Sequence, residues 1–121
     1  MRIAIASINL ACAIMLGAFG AHGLKNIADE QQLAWWATAT QYFFYHALGL
    51  LAVAVLYHVI KIIKINLIFN LMQAGIVLFS GSLYLMALGM PKMLGMITPI
   101  GGLCFILAWL LLAVQAFKLK L

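Results

Sequence analysis

Apolar residues run almost unbroken through four stretches of this chain, and the few polar positions gather between them. The first stretch covers residues 3–21. A polar connection follows from Lys25 to Gln32 and holds both acidic residues of the chain, Asp29 and Glu30. Asp29 and Gln32 have the spacing of a capping box, in which each side chain accepts from the other's backbone N–H, so a helix is expected to restart there. Trp35 and Trp36 are expected to mark a membrane–water interface, where amphipathic rings settle. The second stretch covers 38–60 and ends at Lys61 and Lys64. The third covers 66–88, with Asn66 as its expected N-cap. Gly89 and Pro91 close it, because proline cannot continue the backbone ladder. The fourth covers 98–117, with Thr98 read as N-cap and Pro99 in the first turn. A helix from Leu94, kinked at Pro99, is the alternative.

A helical membrane span needs about 20 apolar residues, and each stretch supplies roughly that number. The pattern predicts an all-α fold, an integral membrane four-helix bundle forming a single transmembrane domain over 1–121.

Composition sharpens this. The chain has 121 residues, 68% of them hydrophobic and 7% charged, with a mean hydropathy of +1.18. Soluble domains carry about a quarter charged residues because their surfaces face water. This chain lacks the polar surface to coat a soluble globule. Arg2, the apolar run and the small residues near Ala18 and Gly20 resemble a secretory signal. The run has the length of a full span, so a retained first helix is expected. Cys12 and Cys104 lie in apolar runs without CxxC or metal-ligand spacing and read as small packing residues. The net charge of +5 is scattered at the ends of apolar runs. That fits membrane flanking and not nucleic-acid binding.

The lysines also orient the chain. With four spans, both termini share a side with the second connection, and that side carries Arg2, Lys61, Lys64, Lys118 and Lys120. The other side carries Lys25 and Lys92 against Asp29 and Glu30. The positive-inside rule then puts both termini in the cytoplasm.

On that topology the polar residues of all four spans gather in one outer layer. His22 ends the first span, and Gln41, Tyr42, Tyr45 and His46 open the second. Ser80, Ser82 and Tyr84 lie in the outer half of the third, and Thr98, with Gly101 and Gly102, begins the fourth. Tyr42 and His46 share a helix face, as do Ser80 and Tyr84. The expected close-packing residues are Ala13, Gly17 and Ala21 on the first helix, with Asn9 on the same face, and Gly75, Ser82 and Gly89 on the third. Small residues let membrane helices approach closely, where packing and interhelical hydrogen bonds replace the missing hydrophobic drive.

A histidine inside a span is costly and calls for a specific partner. For His46 that partner is either a neighbouring helix or a ligand, proton or metal. His22 is expected to meet Tyr42 or His46, directly or through one water, with Gly20 and Gly23 letting the chain dip inward; a solvent-facing His22 is the rival. His58, near Lys61, reads as interfacial. Met86, Met90, Met93 and Met96 with the outer histidines could suit copper(I), but Pro91 breaks their common face. Neither a metal nor another cofactor is therefore assigned. No GxSxG, HExxH or P-loop occurs, both carboxylates sit in a solvated connection, and no ring of charges lines a span. No catalytic residue is assigned, and an enzyme is not expected.

Four ordered motifs carry a resemblance: GAFGAHGL (17–24), QYFFYH (41–46), FSGSLY (79–84) and TPIGG (98–102). Together they resemble the domain-of-unknown-function 423 family of small bacterial inner-membrane proteins, with relatives in animal membranes. The resemblance implies a multi-span inner (plasma) membrane protein of about this size and carries over no catalytic or binding residue. The expected role is accessory or scaffolding: the chain sits in the lipid bilayer and binds lipid, a membrane protein partner or a second copy through its small-residue faces and outer layer. The alternative is a small-solute, proton or metal-handling protein using His22, Tyr42, His46 and Ser80.

Overall fold

Hydrocarbon offers no water to unpaired backbone groups, so an apolar run must satisfy its N–H and C=O groups within itself as a helix. The computed structural model, which describes residues 1–121 throughout, has four such helices and no strand. They are α1 (Arg2–Ala21), α2 (Glu30–Val59), α3 (Ile65–Ala87) and α4 (Thr98–Lys118). All four are long and apolar enough to cross a membrane. The protein is an all-α membrane four-helix bundle.

α2 starts at Glu30, well before the apolar run at 38. The capping box sets its start: Gln32 N–H donates to Asp29 Oδ1 at 2.8 Å, and Asp29 N–H donates to Gln32 Oε1 at 2.9 Å. Its 30 residues rise about 45 Å, more than the roughly 30 Å of hydrocarbon in a bilayer. Its polar first turns therefore stand at or beyond the interface.

α3 begins at Ile65 with Lys64 at the cap position and no side-chain cap bond. Asn66, expected as the cap, instead accepts from the Arg2 guanidinium, which also lies 4.0 Å over the Tyr57 ring. This contact gathers the N-terminus, the end of α2 and the start of α3 at one end of the bundle, the termini end. α3 is interrupted by a π turn over Ile76–Ser80. It closes at Gly89, whose φ of +94° is readily adopted only by glycine. There Gly89 N–H donates to Met86 O at 3.1 Å and Met90 N–H to Leu85 O at 3.0 Å, the paired bonds of a Schellman closure. A 3-10 turn over Lys92–Met96 then leads into α4. Pro99 stands in the first turn of α4, where a missing N–H loses no helical bond.

The core lies between α2 and α3. Ala39, Phe43, Ala47, Leu50 and Ala54 recur at helical spacing on α2 and are buried with Ile68, Met72, Ile76 and Leu83 of α3. α1 packs mainly on α2, and α4 mainly on α3. Large apolar side chains of these outer helices, such as Ile8, Ile14, Leu103 and Ile106, are exposed, as suits surfaces that meet lipid.

Candidate functional site: a tied polar layer and an open groove

At the end opposite the termini, the polar side chains mostly tie helices together. Trp36, expected at the interface, is buried, and its indole N–H donates to the Leu16 carbonyl on α1 at 2.8 Å. The indole occupies the space a Cβ on Gly20 would need, so the missing side chain of Gly20 is what admits it. Tyr84 stacks edge-on against Trp36, ring centroids 4.4 Å apart. One turn apart on α3, Ser80 donates to the Ala39 carbonyl at 2.8 Å and Tyr84 shares a 2.8 Å hydrogen bond with Thr40. Between α3 and α4, the Thr98 and Ser82 hydroxyls are 2.5 Å apart, and Ser82 donates to Phe79 O at 2.9 Å. Ser82 spends its only proton there, so Thr98 is the donor between them. Thr98, expected as a helix cap, makes no cap bond because its hydroxyl is engaged across the helices.

The remaining members of the expected layer separate. Gln41 donates to the Tyr45 hydroxyl at 2.8 Å on the exposed face of α2. His46 is buried, and its Nδ1 lies 2.7 Å from the Tyr42 carbonyl of its own helix. A carbonyl only accepts, so Nδ1 carries the proton and Nε2 is left as an acceptor. The His46 ring stacks on Phe105 of α4 at 3.4 Å between centroids and lies parallel to Tyr42 at 6.3 Å. Its hydrogen bond is thus to its own helix, and its contact with the neighbouring helix is ring stacking.

His22 stands apart from the tied layer. It is exposed, and no hydrogen bond or ring contact joins it to Tyr42 or His46. Its backbone carbonyl accepts from Asn26 at 3.3 Å. The reason is local: after Ala21 the chain enters a 3-10 turn over Leu24–Asn26, and buried Leu24 takes the inward position. His58 is exposed, edge-on to Tyr57. Met86 is buried while Met90, Met93 and Met96 are exposed. No group of three His, Cys, Asp or Glu residues is placed to hold a metal ion.

The close helix crossings lie partly where small residues were expected. Ala13 is buried, and a Cβ on Gly17 would meet Thr40 Cγ2 at 3.3 Å. A Cβ on Gly75 would strike the Phe105 ring, and one on Gly101 would strike the Phe79 backbone. Gly89 faces open space and is a turn residue, not a packing one. Ala21 is exposed.

One tie was missed from the sequence. Asn9 of α1 and Gln73 of α3 exchange amide hydrogen bonds, Asn9 Nδ2 to Gln73 Oε1 at 2.9 Å and Gln73 Nε2 to Asn9 Oδ1 at 3.3 Å. Asn9 stands about 10 Å along α1 from Arg2 at 1.5 Å per residue. Asn9 was visible as a polar residue on the small face, but Gln73 carried no signal.

Beside the tied layer, a surface groove of about 530 Å³ lies along the α1–α2 crossing. Gly17, Gly20 and Ala21 form its α1 side. Leu33, Trp36, Ala37, Thr40 and Gln41 form its α2 side, and Lys25 belongs to its lining. Leu33 to Gln41 is eight positions on one face, about 12 Å of helix.

A family model described as "Protein of unknown function (DUF423)" matches residues 16–102. The chain is similar to the UPF0382 membrane protein YwdK of Bacillus subtilis (strain 168), 46% identical over 117 residues, covering 96% of this chain and 95% of that one. It is likewise 44% identical over 117 residues to the UPF0382 membrane protein SSP2132 of Staphylococcus saprophyticus, covering 97% of each. No solved structure matches the chain.

Proposed function

Because the chain belongs to the DUF423 family, whose similar members are named as bacterial membrane proteins, we propose that it is a non-catalytic accessory protein of the bacterial inner (plasma) membrane. It binds a lipid or a membrane partner through the α1–α2 groove, and both its termini face the cytoplasm. One observation carries this reading. The hydroxyls of Thr40, Ser80, Ser82, Tyr84 and Thr98 and the indole of Trp36 are all committed to bonds within the bundle. The adjacent groove, by contrast, is open, with Gly17, Gly20 and Ala21 as its α1 wall. Side chains locked into interhelical bonds make a rigid frame, and the open concavity beside it is where a ligand gains buried area without disturbing that frame.

The test is extraction from native membranes in mild detergent, comparing the unmodified chain with Ala37→Leu. Ala37 is exposed and lines the groove, so leucine fills the groove without entering the core. A lipid or membrane protein that stays with the unmodified chain, and is lost from a folded Ala37→Leu chain, is the expected result. Identical co-purifying material in both, or none in either, overturns the proposal.

A further inference from the structure

We propose that the α1–α2 groove takes the acyl chain of an anionic membrane phospholipid, with the headgroup phosphate held by Lys25; this rests on the reading above that the groove is a binding surface. The argument begins with charge. The groove lining includes one cation, Lys25, and no carboxylate. The only two acidic residues of the chain, Asp29 and Glu30, line a separate concavity with Gln31 and Ala34. Asp29 also spends Oδ1 on the cap of α2. The charge at the groove is therefore positive, and it calls for an anion.

Shape supplies the second part. Below Lys25 the groove runs about 12 Å along Leu33, Trp36 and Ala37 opposite Gly17 and Gly20, a largely apolar trough with Thr40 and Gln41 at its far end. Lys25 sits in the 3-10 turn just beyond the end of α1, at the headgroup end of that trough. A cation above an apolar trough matches a molecule with a negative head and a hydrocarbon tail. A second copy of this chain fits less well, because at this end of the bundle it brings two lysines against two carboxylates, no net charge to answer Lys25. An uncharged apolar helix would leave the ammonium without a counter-charge.

The probe is phosphatidylglycerol with brominated acyl chains, mixed as a minor component into phosphatidylcholine bilayers around the protein. Bromine quenches nearby indoles, and Trp36 lines the groove. Trp35→Phe with Trp109→Phe leaves Trp36 as the sole reporter. A lysine near the membrane surface is worth about 1 kcal/mol toward an anionic lipid, so brominated phosphatidylglycerol should reach Trp36 with about fivefold preference over brominated phosphatidylcholine. Lys25→Gln should abolish that preference, and Ala37→Leu should reduce quenching by both lipids. Native mass spectrometry of the chain with all its tryptophans, against Lys25→Gln, gives the same comparison without altering an aromatic residue. There the expected result is retained phosphatidylglycerol that is lost with Lys25. Equal quenching and retention of the two lipids means annular lipid only and overturns the proposal, as does a preference that survives Lys25→Gln. If a membrane protein, and not phosphatidylglycerol, depends on an unfilled groove, the lipid assignment fails while the accessory reading stands. If nothing depends on the groove, both fail.

Discussion

The hydroxyls of Tyr84 and Thr40 share a hydrogen bond of 2.8 Å that joins the third helix to the second. Thr40→Val and Tyr84→Phe each remove one partner with little change of shape. Interhelical hydrogen bonds in membranes are worth about 0.6 kcal/mol on average and up to about 1.7. Each single variant should lose that much in an unfolding assay in detergent micelles, and the double variant no more than either one. Additive losses would mean the two residues act separately.

Two glycines should respond with opposite signs. A Cβ on Gly101 meets the Phe79 backbone, whereas one on Gly81 meets nothing within 4 Å. Gly101→Ala should cost about 1–3 kcal/mol by overpacking. Gly81→Ala, inside a helix, should gain about 0.5–1 kcal/mol because alanine loses less backbone freedom. The thermal midpoints of the two variants, measured side by side, decide the matter.

Breaking the amide pair should be worse than deleting it. Asn9→Leu strands the Gln73 amide inside a span, at a cost of about 1–3 kcal/mol for an unsatisfied polar group. Adding Gln73→Leu removes the stranded group, so most of the loss should return in the same unfolding assay. A double variant less stable than Asn9→Leu alone would show that the pair does not account for the loss.

The proposed orientation has a direct readout. In a chain with Cys12→Ala and Cys104→Ala, single cysteines are placed at Asp29 or Lys64. An impermeant maleimide applied to intact cells should label position 29 and spare position 64. The reverse pattern would invert the topology.

The helices were legible because each apolar run is long enough to span and each boundary carries local chemistry: the Asp29–Gln32 box, Gly89 before Pro91, and Pro99 in a first turn. Local signals misled where a long-range partner competed for the same group. Asn66 and Thr98 have the side chains of caps, yet the Arg2 guanidinium and the Ser82 hydroxyl claim them. Trp36 reads from sequence as a residue of interfacial depth, and what the sequence did not show is that Gly20 on α1 opens a place for its ring in the bundle. The polar layer was legible as a depth and not as a set of pairs, because depth follows from counting along each helix while pairing depends on how the helices are rotated. The Asn9–Gln73 pair lay out of reach for the same reason, and buried Leu24 fixed the outward turn of His22.

The π turn in α3 has a geometric consequence. In a regular α-helix each step of four residues overshoots a full turn by about 40°, so contacts spaced by four wind steadily around the helix. On α3, Met72 lies against Gly49 (a Cβ there would sit 3.3 Å from the Met72 sulfur), while Ser80 and Tyr84 reach Ala39 and Thr40. All three partners are on α2, although twelve positions separate Met72 from Tyr84. The wider turn over Ile76–Ser80 takes back part of the accumulated rotation, so that the two helices meet along a straight seam. Removing one residue from this turn would restore a regular helix in which Met72 and Tyr84 stand eleven steps apart, about 20° past three whole turns, so the two side chains would stay on the seam. Closing the turn with all its residues kept would instead leave Tyr84 about 120° around from Met72, facing away from it.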